Sequence, residues 1–539
     1  MACTRRKLLT SALASASLVA SPQLSSPVKA AAASPMPRMP IDEFAKSPEL
    51  VAALRSGVKA MKQRKPSDPL SWFYQAAIHS VSDEKVAQAA RDDPGVAKVD
   101  ARKHWNQCPH FGQNSANFLP WHRGYIFCFE RILRLHTGRD DFSLPYWNYC
   151  DPASDRKFPK IFGIQYLDGN LNNNDADNVN PLWDAQRDFY FTGYQHPLTD
   201  KLPLLALSDQ AIDASAAMAS PVFFGETEQT GFGGGIADDD PSTRGLAESS
   251  PHDQIHRAVG GIIGSFAGDM ADPHTAAFDP IFPVHHTNMD WLWVQWGCAS
   301  GKSWGKLPDQ AWFDERPWFF FDEQGNEINE PRRTYFDHRA LGVRYKYEDP
   351  NLMPLALPTL VASASEKSIA ILRPAPVTVE SLATSDLALT AAPTGRTSVA
   401  LASNFGDAVT NRLAARLDRG QAKAAPTERL VVRLKDIEAG TMTSVGFDVH
   451  LTATPDADLT RNAPSFIGSI NLFNHRHHSG MAIAQDLEAT RALAAAGGSA
   501  AGLHLVFVPY PLLKVIETGA PYLHSQPLTV RGIELRGAS

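Results

Sequence analysis

Apolar residues recur at helical spacing in four stretches of the chain, residues 70–81, 121–136, 251–264 and 286–296, and each stretch predicts a helix. The second carries Ile126, Phe129 and Leu133 on one face, and the third opens on Pro251, a residue suited to a first helical turn. Between them, the Asn- and Asp-rich residues 168–177 and the Gly-rich residues 231–245 predict surface loops. Past residue 350 the rhythm changes. Residues 351–396 are rich in Ala, Ser, Thr, Leu and Pro and read as a linker. From residue 397 onward, short alternating or apolar runs at 430–434, 446–451 and 503–508 predict strands. The pattern predicts a mainly α unit over residues 34–350 followed by a smaller all-β sandwich over 397–539.

Composition narrows the class. The 539 residues are 43 % apolar and 20 % charged, enough to bury two cores. A net charge of -7 without a long basic run argues against nucleic acid as a partner. No stretch beyond the N-terminus is apolar enough to span a bilayer, so no membrane anchor is expected. Residues 1–33 read as targeting rather than fold. Arg5-Arg6 precede a short apolar run, and Ala30–Ala33 offer small-residue cleavage sites, the pattern of a twin-arginine (Tat) signal. The expected location is periplasmic or secreted, and such a signal exports cargo already folded. Of five cysteines, Cys108, Cys128, Cys150 and Cys298 lie beyond the signal, too few for a disulfide scaffold although two bridges are conceivable.

The chemistry concentrates in histidines: His79, His110 after Cys108, His122 in Phe118-Leu119-Pro120-Trp121-His122-Arg123, His252 and His256 four apart, and the pair His285-His286 ahead of Asp290. On a helix, His252 and His256 leave the same face and can share one metal. Taken alone that spacing fits zinc, or two solvent-facing rings, equally well. Imidazole suits Zn, Cu, Fe and Ni alike. Six imidazoles on apolar helices, with no carboxylate triad or Cys cluster to match zinc or iron, favour a pair of copper ions with three nitrogens each.

These motifs resemble the two signatures of the tyrosinase, catechol oxidase and hemocyanin family: Phe118–Arg123 with Glu130, and Asp279-Pro280-x-Phe282 leading to His286 and Asp290. The resemblance implies a four-helix bundle around a dicopper centre, with His79, His110 and His122 on the first copper and His252, His256 and His286 on the second. It implies a thioether between Cys108 and His110, and a structural role for His285. The gap from His110 to Phe118 is longer than the family pattern, which leaves His104 open as an alternative ligand. Pro283 stands where a large apolar residue is usual.

Glu248 resembles a carboxylate that assists phenol deprotonation, and Asp253 follows the second copper's first ligand, where it can accept a phenol proton or turn to Arg257. Arg257 is a candidate for orienting a substrate carboxylate. Asp290 and Glu130 are expected to fix imidazoles and Arg123. Tyr345-Lys346-Tyr347 resembles the motif closing the catalytic unit. Gly446-Phe447-Asp448-Val449, and Phe466-Ile467-Gly468-Ser469 with the histidines at 475–478, resemble the C-terminal domain that covers the copper site in latent plant enzymes.

The implied reaction is O2-dependent oxidation of o-diphenols to o-quinones, with ortho-hydroxylation of monophenols left open by the residues. An o-aminophenol oxidase is a variant of it, and a non-enzymatic O2 carrier or an HxxxH zinc or di-iron hydrolase are rivals. The expected partners are a small phenol, O2 and, as an open possibility, a copper chaperone.

Overall fold

The computed structural model describes residues 34–539 except 110–114, 171, 194–203, 226–230, 236–243, 264–265, 352–354, 356, 358–377, 384–386, 390–394, 402–428, 440–444, 471–483, 497–501, 523–527 and 539. The targeting segment 1–33, His110 and the histidines at 475–478 therefore lie outside the described residues.

Five helices frame the first unit: α1 Pro48–Lys62, α2 Trp72–His79, α3 Phe118–Thr137, α4 Asp253–Gly260 and α5 Phe282–Cys298. Their starts follow local chemistry. Ser47 and Ser71 cap α1 and α2 by accepting from Leu50 N and Tyr74 N, and Pro283 sits in the first turn of α5, where a missing N–H costs nothing. The predicted helix over 251–264 is shorter than expected. A turn over Glu248–His252, non-helical at Ser250, precedes it, and Gly261 at φ +56° ends it. All residues of α4 are buried, its polar Asp253, Gln254 and Arg257 included, and so is most of α5.

Gly260 is required by packing. A Cβ there would stand 2.1 Å from Ala271 N, so only glycine lets the segment Asp269–Ala271 lie against the end of α4.

The second unit is two antiparallel sheets. One orders β4 Thr397–Ala400, β9 His504–Pro511, β6 Val445–Thr452 and β7 Phe466–Ser469. The other orders β8 Gln485–Glu488, β5 Arg429–Ala439, β12 Leu528–Ala538 and β2 Thr378–Ala383, with β3 Leu387–Leu389 also on β12. Leu430, Val432 and Leu434 of one sheet and Phe447, Val449, Leu505 and Phe507 of the other share one core, a β-sandwich. The region read as a linker thus contains two strands of this unit. Their alternation is too short, and too rich in Ala and Ser, to stand out in the sequence.

The units are joined by more than chain continuity. β1 Leu205–Leu207 pairs with β10 Leu513–Val515, which also pairs with β11 Pro521–Tyr522. Tyr510, Leu512 and Leu513 are buried in the same apolar cluster as Trp72, Ile78 and Phe282 of the helical unit. Among the described residues, no helix is long and apolar enough to cross a membrane.

Candidate metal centre

His79 ends α2, His122 lies in the first turns of α3, His252 immediately precedes α4, His256 lies within it, and His285 and His286 start α5. The helices bring them together in two buried groups. The potential ligand atoms of His252, His256, His285 and His286 all lie within 4.8 Å of one another, and so do those of His79, Cys108 and His122. The groups adjoin: the His122 and His286 rings stack with centroids 4.1 Å apart, and His79 and His286 are 6.5 Å apart. His256 Nε2 stands 3.4 Å from His286 Nε2.

The surroundings keep these rings neutral. Burial pushes His122 and His256 down to about 3, and burial together with neighbouring imidazoles holds His79, His285 and His286 well below the ordinary value. A neutral imidazole offers a lone pair to a metal. Buried nitrogens without a hydrogen-bond partner in a dry site otherwise carry a desolvation cost, and His285 Nε2 and His286 Nδ1 are two such atoms.

Their donor set fits copper: several imidazoles and a thiol, with no carboxylate in either group among the described residues. The second group holds one imidazole more than a three-nitrogen site needs. His285 Nδ1 stands 3.1 Å from the Tyr149 hydroxyl, whereas His286 lies against both groups.

The remaining expected residues fall in distinct places. His104 meets Tyr74 Oη at 2.8 Å and Glu327 at 2.9 Å, well engaged outside both groups, so the alternative of His104 as a ligand is set aside. Cys108 Sγ lies 3.6 Å from His122 Nε2, and its own backbone N–H donates to His79 O. No disulfide links the described cysteines, so the conceivable bridges are not made.

Glu248 is buried, accepts from Arg244 Nη1 at 2.6 Å, and is pushed up by burial and nearby Asp253 to about 8 against the pull of Arg244. Asp253 is buried and turns to His252 Nδ1 at 2.8 Å and toward Arg244 Nε at 3.6 Å. Arg257 differs from expectation as well. It is 2 % exposed and donates to Val445 O of β6 at 2.7 Å and to Gln254, which places it under the β-unit instead of in an open substrate path.

Asp290 and Glu130 fix arginines, not imidazoles. Asp290 accepts from Arg123 at 2.5 Å, from Arg38 at 3.1 Å and from Tyr345 Oη at 2.6 Å; Glu130 accepts from Arg38 at 2.9 Å. Arg38, Arg244 and Arg187 are missing from the sequence reading. Arg187 grips Asp279 with two hydrogen bonds, while Asp279 also accepts from Ile281 N at the entry to α5. None of the three sits in a periodic pattern, so no local signal marks them; only the carboxylates they meet were legible.

Two adjoining buried groups of imidazoles with one thiol, able to hold metal, in a helical unit roofed by a β-sandwich define the class. Residues 69–298 match the common central domain of tyrosinase. Over 302 residues the chain is 32 % identical to a tyrosinase of Hahella sp., covering 53 % of this chain and 59 % of that protein. A polyphenol oxidase II of Ipomoea batatas is 28 % identical over 321 residues, 56 % of this chain and 48 % of that protein. The matched region thus spans about half to three-fifths of these relatives' lengths. The fold is shared with latent apple tyrosinase, TM-score 0.54 at 21 % identity over 94 % of this chain and 98 % of that one. Latent aurone synthase superposes with a TM-score of 0.51, also at 21 % identity, over 94 % and 91 %. Through residues 69–298 the chain carries the common central domain of tyrosinase, and over about half its length it is similar to tyrosinases and polyphenol oxidases.

Proposed function

We propose that the chain is a copper oxidase that uses O2 to convert o-diphenols to o-quinones. The observation that carries this reading is the junction of two buried imidazole groups at His122 and His286, whose rings stack at 4.1 Å. His79, His110 and His122 would hold the first copper, and His252, His256 and His286 the second. Bound copper supplies O2 binding and two-electron redox chemistry.

The chain's own residues do the rest. Burial excludes water from the rings and keeps them unprotonated. Glu248, pushed up to about 8 by burial, would take the proton from an incoming phenol. His285 braces α5 through Tyr149. Cys108, buried beside His122, is placed to constrain the first group, and the thioether to His110 is part of the proposal.

The β-unit acts as a lid. Arg257, adjacent to His256, is tied to Val445, and Arg461 on the lid donates to Gln210 O and to Ser250 Oγ, two residues before His252.

Copper-loaded protein should be assayed side by side with catechol, tyrosine and o-aminophenol, full-length and with the lid removed. Catechol oxidation with matching O2 consumption is expected. Reversible O2 uptake without turnover of any substrate would point to a carrier, and turnover of o-aminophenol alone to the amine variant. A chain that retains zinc and oxidises nothing would end the reading.

A further inference from the structure

We propose that Asp253 is a positioning residue for His252 and not the group that takes the substrate's proton; the role presupposes the copper pair proposed above. Three imidazoles of the centre show how their tautomers are set. His122 Nδ1 lies 2.8 Å from Phe118 O, His256 Nδ1 2.8 Å from Met270 O, and His252 Nδ1 2.8 Å from Asp253 Oδ1. A carbonyl or a carboxylate oxygen can only accept, so Nδ1 must carry the proton and Nε2 the lone pair in each ring. In each of the three rings Nε2 is therefore the nitrogen that would hold a metal.

His252 differs in the charge of its acceptor. A carboxylate orients the ring more firmly than a neutral carbonyl and makes Nε2 a stronger donor. Asp253 is itself fully buried, which a bare carboxylate tolerates only with compensation. The His252 N–H provides part, and Arg244 Nε, 3.6 Å from Oδ2, provides charge. The same guanidinium holds Glu248 through Nη1.

Oδ1 is thus held in a hydrogen bond, and Oδ2 faces the Arg244 guanidinium at ion-pair distance. A base must present an oxygen within about 2.6–3.2 Å of the proton it takes. Asp253 could do so with Oδ1 only by releasing His252. The geometry assigns Asp253 to setting the ligand, and the proton step stays with Glu248 as proposed above.

The test is a competition titration of the copper-free full-length chain with copper against a chromophoric chelator, for the wild type, Asp253→Ala and Asp253→Asn. The expected result is that Asp253→Ala weakens one of the two copper-binding steps by about 10–100-fold and leaves the other unchanged. Asp253→Asn, which keeps an acceptor oxygen but no charge, should lose less. Should Asp253→Ala fail to fold, the isosteric Asp253→Asn carries the comparison, with one step weakened as the expected result. Wild-type affinity at both steps combined with lost phenol turnover would overturn the inference in favour of a proton acceptor. A wild-type chain that takes up no copper would overturn the copper reading itself, an outcome told apart by the wild-type titration alone.

Discussion

Arg257 Nη2 donates to the Val445 carbonyl oxygen at 2.7 Å, linking the helix that carries His256 to a strand of the β-sandwich. With the pairing of Leu205–Leu207 on Leu513–Val515 and the Arg461 bonds to Gln210 and Ser250, it fastens the β-unit to the helical unit at several places. Cutting the chain between residues 358 and 377 should therefore leave the two parts together. The cut protein is expected to elute from a sizing column as one species, and separation without denaturant would contradict the fastening. Arg257→Ala or Arg461→Ala should weaken the hold by about 1.5–3 kcal/mol, the worth of a hydrogen bond to a charged group, and raise catechol turnover in the full-length chain.

Complete removal of residues 397–539 has two opposed effects. It should raise activity by uncovering the centre, and it should lower stability, because Leu512 and Leu513 lie in the helical unit's own core cluster. Loss of these two side chains costs about 1.5–3 kcal/mol each. Equal rates before and after removal would reject the lid; an unchanged melting temperature would reject the shared core.

Asp290 joins Arg38, Arg123 and Tyr345 in a buried knot, and although burial pushes its pKa up, the two guanidiniums hold it below the usual carboxylate range. Asp290→Ala takes the carboxylate from buried Arg123, leaving it only backbone carbonyls, and leaves buried Arg38 with Glu130 as its one carboxylate. A loss of about 3–5 kcal/mol is expected from denaturant unfolding. A loss under 1 kcal/mol would show that the knot is solvated in solution.

Glu348 accepts from His338 and Arg339; burial opposes ionisation, yet these partners bring it down to about 2 from an ordinary 4.5. A depressed folded-state pKa stabilises the fold above the unfolded value and loses that contribution as pH falls through the folded one. The melting-temperature gap between wild type and Glu348→Gln should be full at pH 6 and narrow from about pH 4.5 downward. A gap that widens on acidification would contradict the assignment.

Gly260→Ala places a methyl group 2.1 Å from Ala271 N and so displaces the segment whose Met270 carbonyl holds His256. Overpacking of this kind costs about 1–3 kcal/mol. Copper uptake should fall together with stability, and unchanged copper affinity would show that His256 is held by other means.

The helices bearing the histidines were legible because apolar periodicity and histidine spacing are local. So were the strands at 430–434, 446–451 and 503–508. The strands at Thr378–Ala383 and Leu387–Leu389 were not, since they take their place by pairing with Leu528–Ala538 far along the chain. The same holds for the site. The resemblance singled out five described imidazoles that the structure gathers into two adjoining groups, but their partners come from distant segments: Arg244 for Glu248 and Asp253, Tyr149 for His285, Met270 for His256. The setting of Arg257 was hidden for the same reason, because nothing around it in sequence reveals that Val445 lies against it.

Paired copper underlies every role proposed for these histidines, and its most direct test is anomalous scattering at the copper edge from crystals of the copper-loaded protein. Two peaks are expected, one among His79, His110 and His122 and the other among His252, His256 and His286. A single ion enclosed by His252, His256, His285 and His286, with no second peak beside His79 and His122, would contradict it.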